Sequence, residues 1–244
     1  YTQDTVTLQG VLVADPAGGK AGAGGKVGRP GILLFSDWMG VSDEARSKAE
    51  SIARLGYVVL VADIYGKGKN PKDQKEAGAL AGIYKSDRAL MRQRAEAGLR
   101  QLLAEPGVDT TRLAAMGYCF GGTVALELAR TGAPLDGVVS VHGNLDTPDP
   151  AMAKNIKGRV LVLHGADDPF VPPEQVRNFQ DEMRGAGADW SMVYYGGAVH
   201  SFTNPKAGND PSKGAAYNAA ADARASEALK GFYADVFGAK AVRK

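Results

Sequence analysis

The chain has 244 residues, a length that one α/β domain can fill, and its 44% apolar and 23% charged residues are typical of a globular protein. A net charge of +2 without clustered basic residues argues against a nucleic-acid-binding protein. Its one cysteine excludes an intramolecular disulfide and a multi-cysteine metal site, and no apolar run approaches the roughly 20 residues that cross a bilayer.

Short apolar, β-branched segments alternate with longer segments of helical pattern from residue 31 onward. This alternation predicts an α/β fold, a mostly parallel central sheet with helices on both faces. Before it, residues 5–13 alternate like a half-exposed strand, and the Gly- and Ala-rich residues 17–28 are expected to form a loop at the sheet edge. The predicted strands are 31–36, 57–62, 112–117, 137–141, 159–163 and 191–195, and the predicted helices are 43–55, 86–104, 120–130, 173–185 and 212–236.

Neither an internal repeat nor a change of composition divides the chain, so we expect a single domain over residues 1–244. No cofactor is expected, and the three histidines are too scattered in the sequence to indicate a metal site. We expect a small-molecule substrate as partner, no nucleic acid or membrane, and a monomer or homodimer. A soluble, cytoplasmic location is expected, and a start at Tyr1 without Met leaves the periplasm as the alternative.

The most informative segment is GYCFGG, residues 117–122, which joins a predicted strand to a predicted helix. It matches the Gly-x-nucleophile-x-Gly turn, with Cys119 in the place of the usual Ser. Gly117 and Gly121 keep a strained corner clear of side chains, and the N-terminus of the following helix favours a thiolate. A lone cysteine is more often an inert core thiol. The position between strand and helix nevertheless favours Cys119 as a nucleophile.

In folds with this turn, an acid and then a histidine follow the nucleophile in the chain. Asp167 and Asp168 lie in a loop after the predicted strand 159–163. Both can act as turn formers, and we favour Asp168 as the acid. His200 is the only histidine that follows, so chain order selects it as the base. His142 and His164 lie at strand ends, where polar pairing with a loop is expected.

The turn also predicts an oxyanion hole made by two backbone N–H groups. One is that of Phe120, and the other comes from the loop after strand 31–36, where we choose Trp38. Asp37 would then lie beside the thiol, since Ser42 or Asp43 is better placed to cap the next helix. Among the aromatic residues near these loops, Trp38 and Phe202 are predicted to line an apolar substrate pocket.

With these residues assembled, the chain resembles the dienelactone hydrolase family over nearly its whole length. The resemblance rests on GYCFGG, on HGADDPFVP at 164–172, on AVHSF at 198–202 and on ADIY at 62–65. It implies a compact α/β-hydrolase fold with little lid and a triad of Cys119, Asp168 and His200. It also implies that a carboxylate at Asp37 helps to activate the thiol, although the family usually has the longer Glu there.

The sequence departs from the family's pattern at one position that concerns substrate binding. The family uses an Arg shortly after the catalytic histidine to bind a substrate carboxylate, and Asn204 stands at that position here. A neutral amide cannot replace a bidentate Arg–carboxylate contact. We therefore predict poor activity on anionic dienelactones and a preference for neutral substrates.

Leaving-group chemistry narrows the reaction further. A thiol has a pKa of about 8.5 and a phenol about 10, so a thiolate is expelled before an alkoxide or amine, whereas its competition with an enolate or an activated phenolate is closer. We predict hydrolysis of enol lactones and aryl esters through a thioester, with neutral aryl phosphotriesters as the alternative substrate. Two other classes of protein are alternatives: a redox sensor built on Cys119, which lacks a resolving cysteine, and an inactive binding protein, which the complete triad argues against.

Overall fold

The computed structural model describes residues 1–15 and 28–238. In chain order the strands are β1 (Thr2–Gln3), β2 (Val6–Thr7), β3 (Val11–Ala14), β4 (Arg29–Phe35), β5 (Val58–Ala62), β6 (Val108–Tyr118), β7 (Gly137–Val141), β8 (Arg159–Gly165) and β9 (Trp190–Tyr195). The helices are α1 (Asp43–Ala53), α2 (Gln74–Ser86), α3 (Arg88–Ala104), α4 (Phe120–Arg130), α5 (Pro173–Ala186) and α6 (Ala219–Gly238). Short 3-10 helices cover Pro150–Asn155, Pro205–Ala207 and Pro211–Lys213.

Strands β3 to β9 form one sheet in the order β3-β5-β4-β6-β7-β8-β9. Strand β3 pairs antiparallel with β5, and every other neighbouring pair in this sheet is parallel. The predicted mostly parallel α/β sheet is thereby confirmed. After β4 the chain forms β5 on one side of β4, and it then crosses over to form β6 on the other side. The loops that follow β4 and β6 therefore leave neighbouring strand ends in opposite directions. Such a reversal opens a crevice for ligands at the carboxyl edge of a sheet.

Both faces of the sheet are covered, which explains the continuous apolar strands. Side chains alternate along β4, so that Ile32 and Leu34 pack in a core shared with α1 and α6. The intervening Leu33 and Phe35 pack in a second core on the side of α2 to α5. The sheet edge that carries the loops is therefore held rigidly from both sides.

One helix was not predicted from the sequence. Helix α2 begins after Asp73, whose side chain accepts a hydrogen bond from the Glu76 N–H at 2.8 Å. Its buried residues, Ala77, Ala81 and Tyr84, recur at helical spacing but two of them are small. Two glycines at positions 78 and 82 further weaken the helical pattern.

Two predicted elements differ most from the structure, while several others are shifted by up to four residues at one end. The last helix was expected from residue 212 but α6 begins at Ala219, because Pro211–Lys213 ends at Gly214 in the left-handed region at φ 81°. The strand expected over 5–13 is split into β2 and β3, since Leu8 between them turns inward and is 2% exposed. The loop predicted at 17–28 lies outside the described residues except for Gly28. Within the described ranges, no helix has the length and apolarity to span a membrane.

Candidate active site

Cys119 lies at the sharp corner between β6 and α4, with φ 53° and ψ −119°. The corner closes because two glycines let backbone segments touch. A Cβ on Gly117 would lie 2.0 Å from the Gly121 carbonyl oxygen, and one on Gly121 would lie 2.2 Å from that of Phe35. The thiol of Cys119 remains partly exposed. The strained φ is therefore built into the fold and presents the sulfur at the sheet edge.

His200 connects the thiol to a buried carboxylate. Its Nε2 lies 3.0 Å from Cys119 Sγ, and its Nδ1 lies 2.8 Å from Asp168 Oδ2. Burial lowers the pKa of His200, but hydrogen bonds and charges from Asp168 and Cys119 outweigh it and raise the pKa to about 10. An ionised carboxylate only accepts, so Nδ1 carries a proton and Nε2 faces the sulfur. The arrangement can pass a proton between sulfur and imidazole.

The two neighbouring aspartates of the acid loop have different partners. Asp168 is 5% exposed, and its second oxygen accepts a hydrogen bond from the Phe170 N–H at 2.9 Å. Asp167 instead accepts from the Gly197 N–H at 2.9 Å and is exposed. The structure thus brings Asp168 to the histidine, as predicted, while Asp167 ties two loops together.

The histidine loop is held by the segment that precedes α6. The N–H of His200 donates to the Gly214 carbonyl at 3.1 Å, and the His200 carbonyl accepts from Ala216 at 3.0 Å. A third bond joins the Asn218 N–H to the Phe202 carbonyl at 3.0 Å. These backbone bonds fix the imidazole position without using its side-chain nitrogens.

The loop after β4 forms a turn in which the Gly40 N–H donates to the Asp37 carbonyl at 3.2 Å. The carboxylate of Asp37 accepts from the Met39 N–H at 2.9 Å. Among the described residues it makes no hydrogen bond to Cys119, the neighbour predicted for it. Burial raises the pKa of Asp37, while the Met39 bond and the charge of His200 oppose that rise. Asp37 therefore lies in the field of the triad but is oriented by its own loop.

The two predicted oxyanion donors are the N–H groups of Trp38, in the loop after β4, and of Phe120, at the corner after β6. Phe120 is the first residue of α4, where a backbone N–H has no partner within the helix. Within the described ranges, neither N–H donates a hydrogen bond to a protein group. Both N–H groups therefore lack a protein acceptor in this part of the chain, and their role as oxyanion donors stays a prediction.

The prediction that Phe202 lines the substrate pocket was wrong. Its side chain is 0% exposed and packs in the core against the rings of His142 and Tyr195, each with centroids 5.2 Å away. Phe170, which the sequence argument passed over, is 53% exposed and sets its ring at 86° to that of His200 at 5.4 Å. Its position directly after the acid loop is the signal that could have identified it.

His142 also joins the site. Its Nδ1 accepts a hydrogen bond from the Cys119 N–H at 3.2 Å, and its Nε2 lies 3.0 Å from Thr203 Oγ1. His164 instead sets its ring against Tyr194, and its buried Nδ1 has no partner within the described part of the chain. In residues 1–15 and 28–238, no three side chains of His, Cys, Asp or Glu are arranged to hold a metal ion.

Asn204 caps the 3-10 helix that follows it, its side chain accepting from the Lys206 N–H at 2.8 Å. It also borders a small cleft of about 20 Å³ beside the histidine loop, together with Asp37, Glu44 and Lys48. Burial raises the pKa of Glu44, and the charge of Asp37 raises it further. Lys48 is engaged with the Thr203 carbonyl at 2.7 Å. The described lining of this cleft therefore holds two carboxylates and the cation of Lys48, while Lys206 acts on Glu44 from outside the lining.

The relatives found by comparison with known proteins agree with one another. A family model described as the dienelactone hydrolase family matches residues 19–237. The solved structure of m3DLH is 40% identical, with a TM-score of 0.90 over 97% of this chain and 96% of its own. A dienelactone hydrolase-like promiscuous phosphotriesterase from metagenomic libraries is also 40% identical, with a TM-score of 0.87 over 98% of this chain and 96% of its own. A putative carboxymethylenebutenolidase of Yersinia pestis is 24% identical over 71% of this chain and 68% of its own.

Proposed function

The chain belongs to the dienelactone hydrolase family and is an ester-bond hydrolase, and from that premise we propose that it cleaves activated neutral esters and lactones with Cys119 as nucleophile. His200 serves as the base and Asp168 as the acid that orients it. The observation that carries this proposal is the unbroken line of contacts from sulfur to imidazole to carboxylate, at 3.0 and 2.8 Å. Both distances suit direct proton transfer and orientation.

The cycle begins with attack of the Cys119 thiolate on the carbonyl carbon. The carbonyl oxygen becomes an oxyanion that the N–H groups of Phe120 and Trp38 stabilise. Collapse of this intermediate forms a thioester and expels the enolate or phenolate, which the His200 imidazolium can protonate. His200 then removes a proton from water, the resulting hydroxide attacks the thioester, and the carboxylic acid leaves as the thiolate is restored.

The substrate class follows from the leaving group and the surroundings of the site. A thiolate is expelled in preference to an alkoxide or amide, so acylation succeeds best when the leaving group is an enolate or phenolate. Asn204 offers no guanidinium for an anionic substrate, and the carboxylates of Asp37 and Glu44 outnumber the cation of Lys48 in the lining of its cleft. Neutral enol lactones and aryl esters are therefore the proposed substrates.

A second candidate is the hydrolysis of neutral aryl phosphotriesters by the same cysteine. It is favoured by the 40% identity and matching fold of the promiscuous phosphotriesterase. In this reaction the thiolate attacks phosphorus, a phenolate leaves, and water attacking phosphorus then breaks the S–P bond. Each step uses the same residues that are proposed for ester hydrolysis.

The test is steady-state hydrolysis of 4-nitrophenyl acetate and of diethyl 4-nitrophenyl phosphate by the wild type and by Cys119→Ala, before and after treatment with a chelator. Loss of turnover in Cys119→Ala, with chelation harmless, supports the thiol mechanism, and the ratio of the two wild-type rates identifies the preferred electrophile. Full activity of Cys119→Ala would overturn it.

A further inference from the structure

The two proposed oxyanion donors lie on separate loops, so their spacing has to be set by something other than either loop alone. The turn at 37–40 fixes the local shape of the Trp38 loop through the bond from Gly40 to Asp37. That bond does not fix where the turn sits relative to the corner at Cys119. A side chain that contacts both loops would supply this constraint.

Tyr65 makes both contacts. Its hydroxyl donates to the Trp38 carbonyl at 2.9 Å. Its ring stacks on the ring of Phe120, with centroids 5.8 Å apart and an interplanar angle of 28°. The side chain is 2% exposed, so water does not compete for the hydroxyl.

Tyr65 is itself fixed on every side. Its N–H donates to Asp63 Oδ1 at 2.9 Å, and its carbonyl accepts from the Tyr84 hydroxyl at 3.2 Å. The ring of Tyr84 packs beside it at 5.6 Å. Burial raises the pKa of Tyr65, and the charges of Asp37 and Cys119 raise it further. The phenol therefore stays protonated and can act only as a donor to the carbonyl.

We propose that Tyr65 is a positioning residue that sets the spacing and orientation of the two oxyanion donors, by holding the Trp38 loop through its hydroxyl and the Phe120 corner through its ring. This inference rests on the proposed function. Because preorganised donors stabilise charge without reorganising, a small displacement of the Trp38 loop lowers the rate of acylation. It leaves the binding of the uncharged substrate nearly unchanged.

The test compares Tyr65→Phe with the wild type, using 4-nitrophenyl acetate as substrate. The variant keeps the ring and its stacking but removes the bond to Trp38. We expect kcat to fall about tenfold or more, since loss of a whole oxyanion donor costs about 10²–10³ in kcat. KM should change by less than about twofold, as expected for a contact used only in the transition state. The matched control is Tyr233→Phe, which removes a fully buried hydroxyl that has no partner among the described residues.

A second measurement distinguishes a positioning role of Tyr65 from a general disruption of the active site or of the fold. Iodoacetamide alkylates Cys119 by displacing iodide and forms no oxyanion, so its rate should be equal in Tyr65→Phe and the wild type. A selective loss of ester turnover, with normal alkylation and a normal melting temperature, supports the proposal. It is overturned if turnover is unchanged, or if turnover, alkylation and melting temperature fall together. Failure of the proposed function itself would look different, because the wild type would then show no Cys119-dependent turnover.

Discussion

The backbone N–H of Cys119 is shared between the Val141 carbonyl at 3.0 Å and Nδ1 of His142 at 3.2 Å, so a histidine outside the predicted triad contacts the peptide of the nucleophile. An accepting Nδ1 requires the proton on Nε2, which faces Thr203 Oγ1 at 3.0 Å. Burial lowers the pKa of His142 well below 6.5, and the charges of His200 and Lys48 act in the same direction. The ring is therefore neutral in the folded protein.

This neutral histidine makes folding stability depend on pH. Below pH 6.5 the unfolded chain takes up a proton at His142 that the folded protein does not, so stability is lost as pH falls from 6.5 toward the lower folded pKa. We expect the difference in unfolding free energy between the wild type and His142→Leu to shrink below pH 6.5, by up to about 1.4 kcal/mol per pH unit. Urea unfolding of both proteins from pH 5 to pH 8 measures it. A difference that does not vary with pH would contradict the assignment.

The two adjacent aspartates allow the role proposed for Asp168 to be tested, with its neighbour Asp167 as the control. Asp168→Asn removes the carboxylate that holds Nδ1 of His200 at 2.8 Å, and the amide can stabilise the wrong tautomer. We expect kcat on an aryl ester to fall by about 10²–10⁴. Asp167→Asn keeps an oxygen for the Gly197 N–H and should stay within about threefold, as expected of an exposed group away from the reacting atoms. Equal losses of kcat in the two variants would show that activity depends on the conformation of the loop and not on the charge of Asp168.

The contrast between Phe170 and Phe202 predicts opposite consequences of truncation. Phe202→Ala empties a fully buried site and should cost about 3–5 kcal/mol of unfolding free energy. Phe170→Ala removes a half-exposed ring above His200 and should change stability by less than about 1 kcal/mol. Its effect should appear instead in KM for aryl esters. Chemical denaturation and ester kinetics on the two variants test both statements, and a large stability loss in Phe170→Ala would refute them.

Because residue 204 is a neutral Asn, we predict that the protein prefers uncharged to anionic substrates, and that one substitution changes this preference. Asn204→Arg supplies a guanidinium beside the histidine loop, where a charged hydrogen bond is worth about 1.5–3 kcal/mol. We expect the ratio of kcat/KM for a dienelactone carboxylate to that for its methyl ester to rise about tenfold or more. Asn204→Gln is the control for loss of the cap on the Lys206 N–H. A ratio that stays at the wild-type value would mean that the new guanidinium pairs with Glu44 or Asp37 instead.

Local patterns were sufficient to predict most of the sheet and the corner at Cys119. Strand β7 and helix α4 have the predicted bounds, because buried strands and helices leave periodic apolar patterns. The spacing of Gly117 and Gly121 is likewise local, since the corner cannot close with larger residues. Chain order then selected His200 but did not distinguish Asp167 from the favoured Asp168, which the structure brings into contact with His200.

The features that were missed depend on contacts between distant segments. Phe202 lies two residues from His200, yet its burial is decided by His142 and Tyr195. The role of His142 depends on the corner 23 residues earlier in the chain. Tyr65 contacts two loops that no local pattern places side by side. Helix α2 was missed because its buried face is made largely of alanine.

The dependence of the His200 loop on Gly214, Ala216 and Asn218 gives the protein an order of assembly. The nucleophile corner at Cys119 precedes the segment that fastens the histidine, which follows the last strand of the sheet. A nascent chain can thus form much of its sheet and expose a thiol that has no base beside it. If Cys119 is the nucleophile, as proposed, hydrolysis depends on the docking of residues 214–218 against the histidine loop, and activity therefore reports on that packing step.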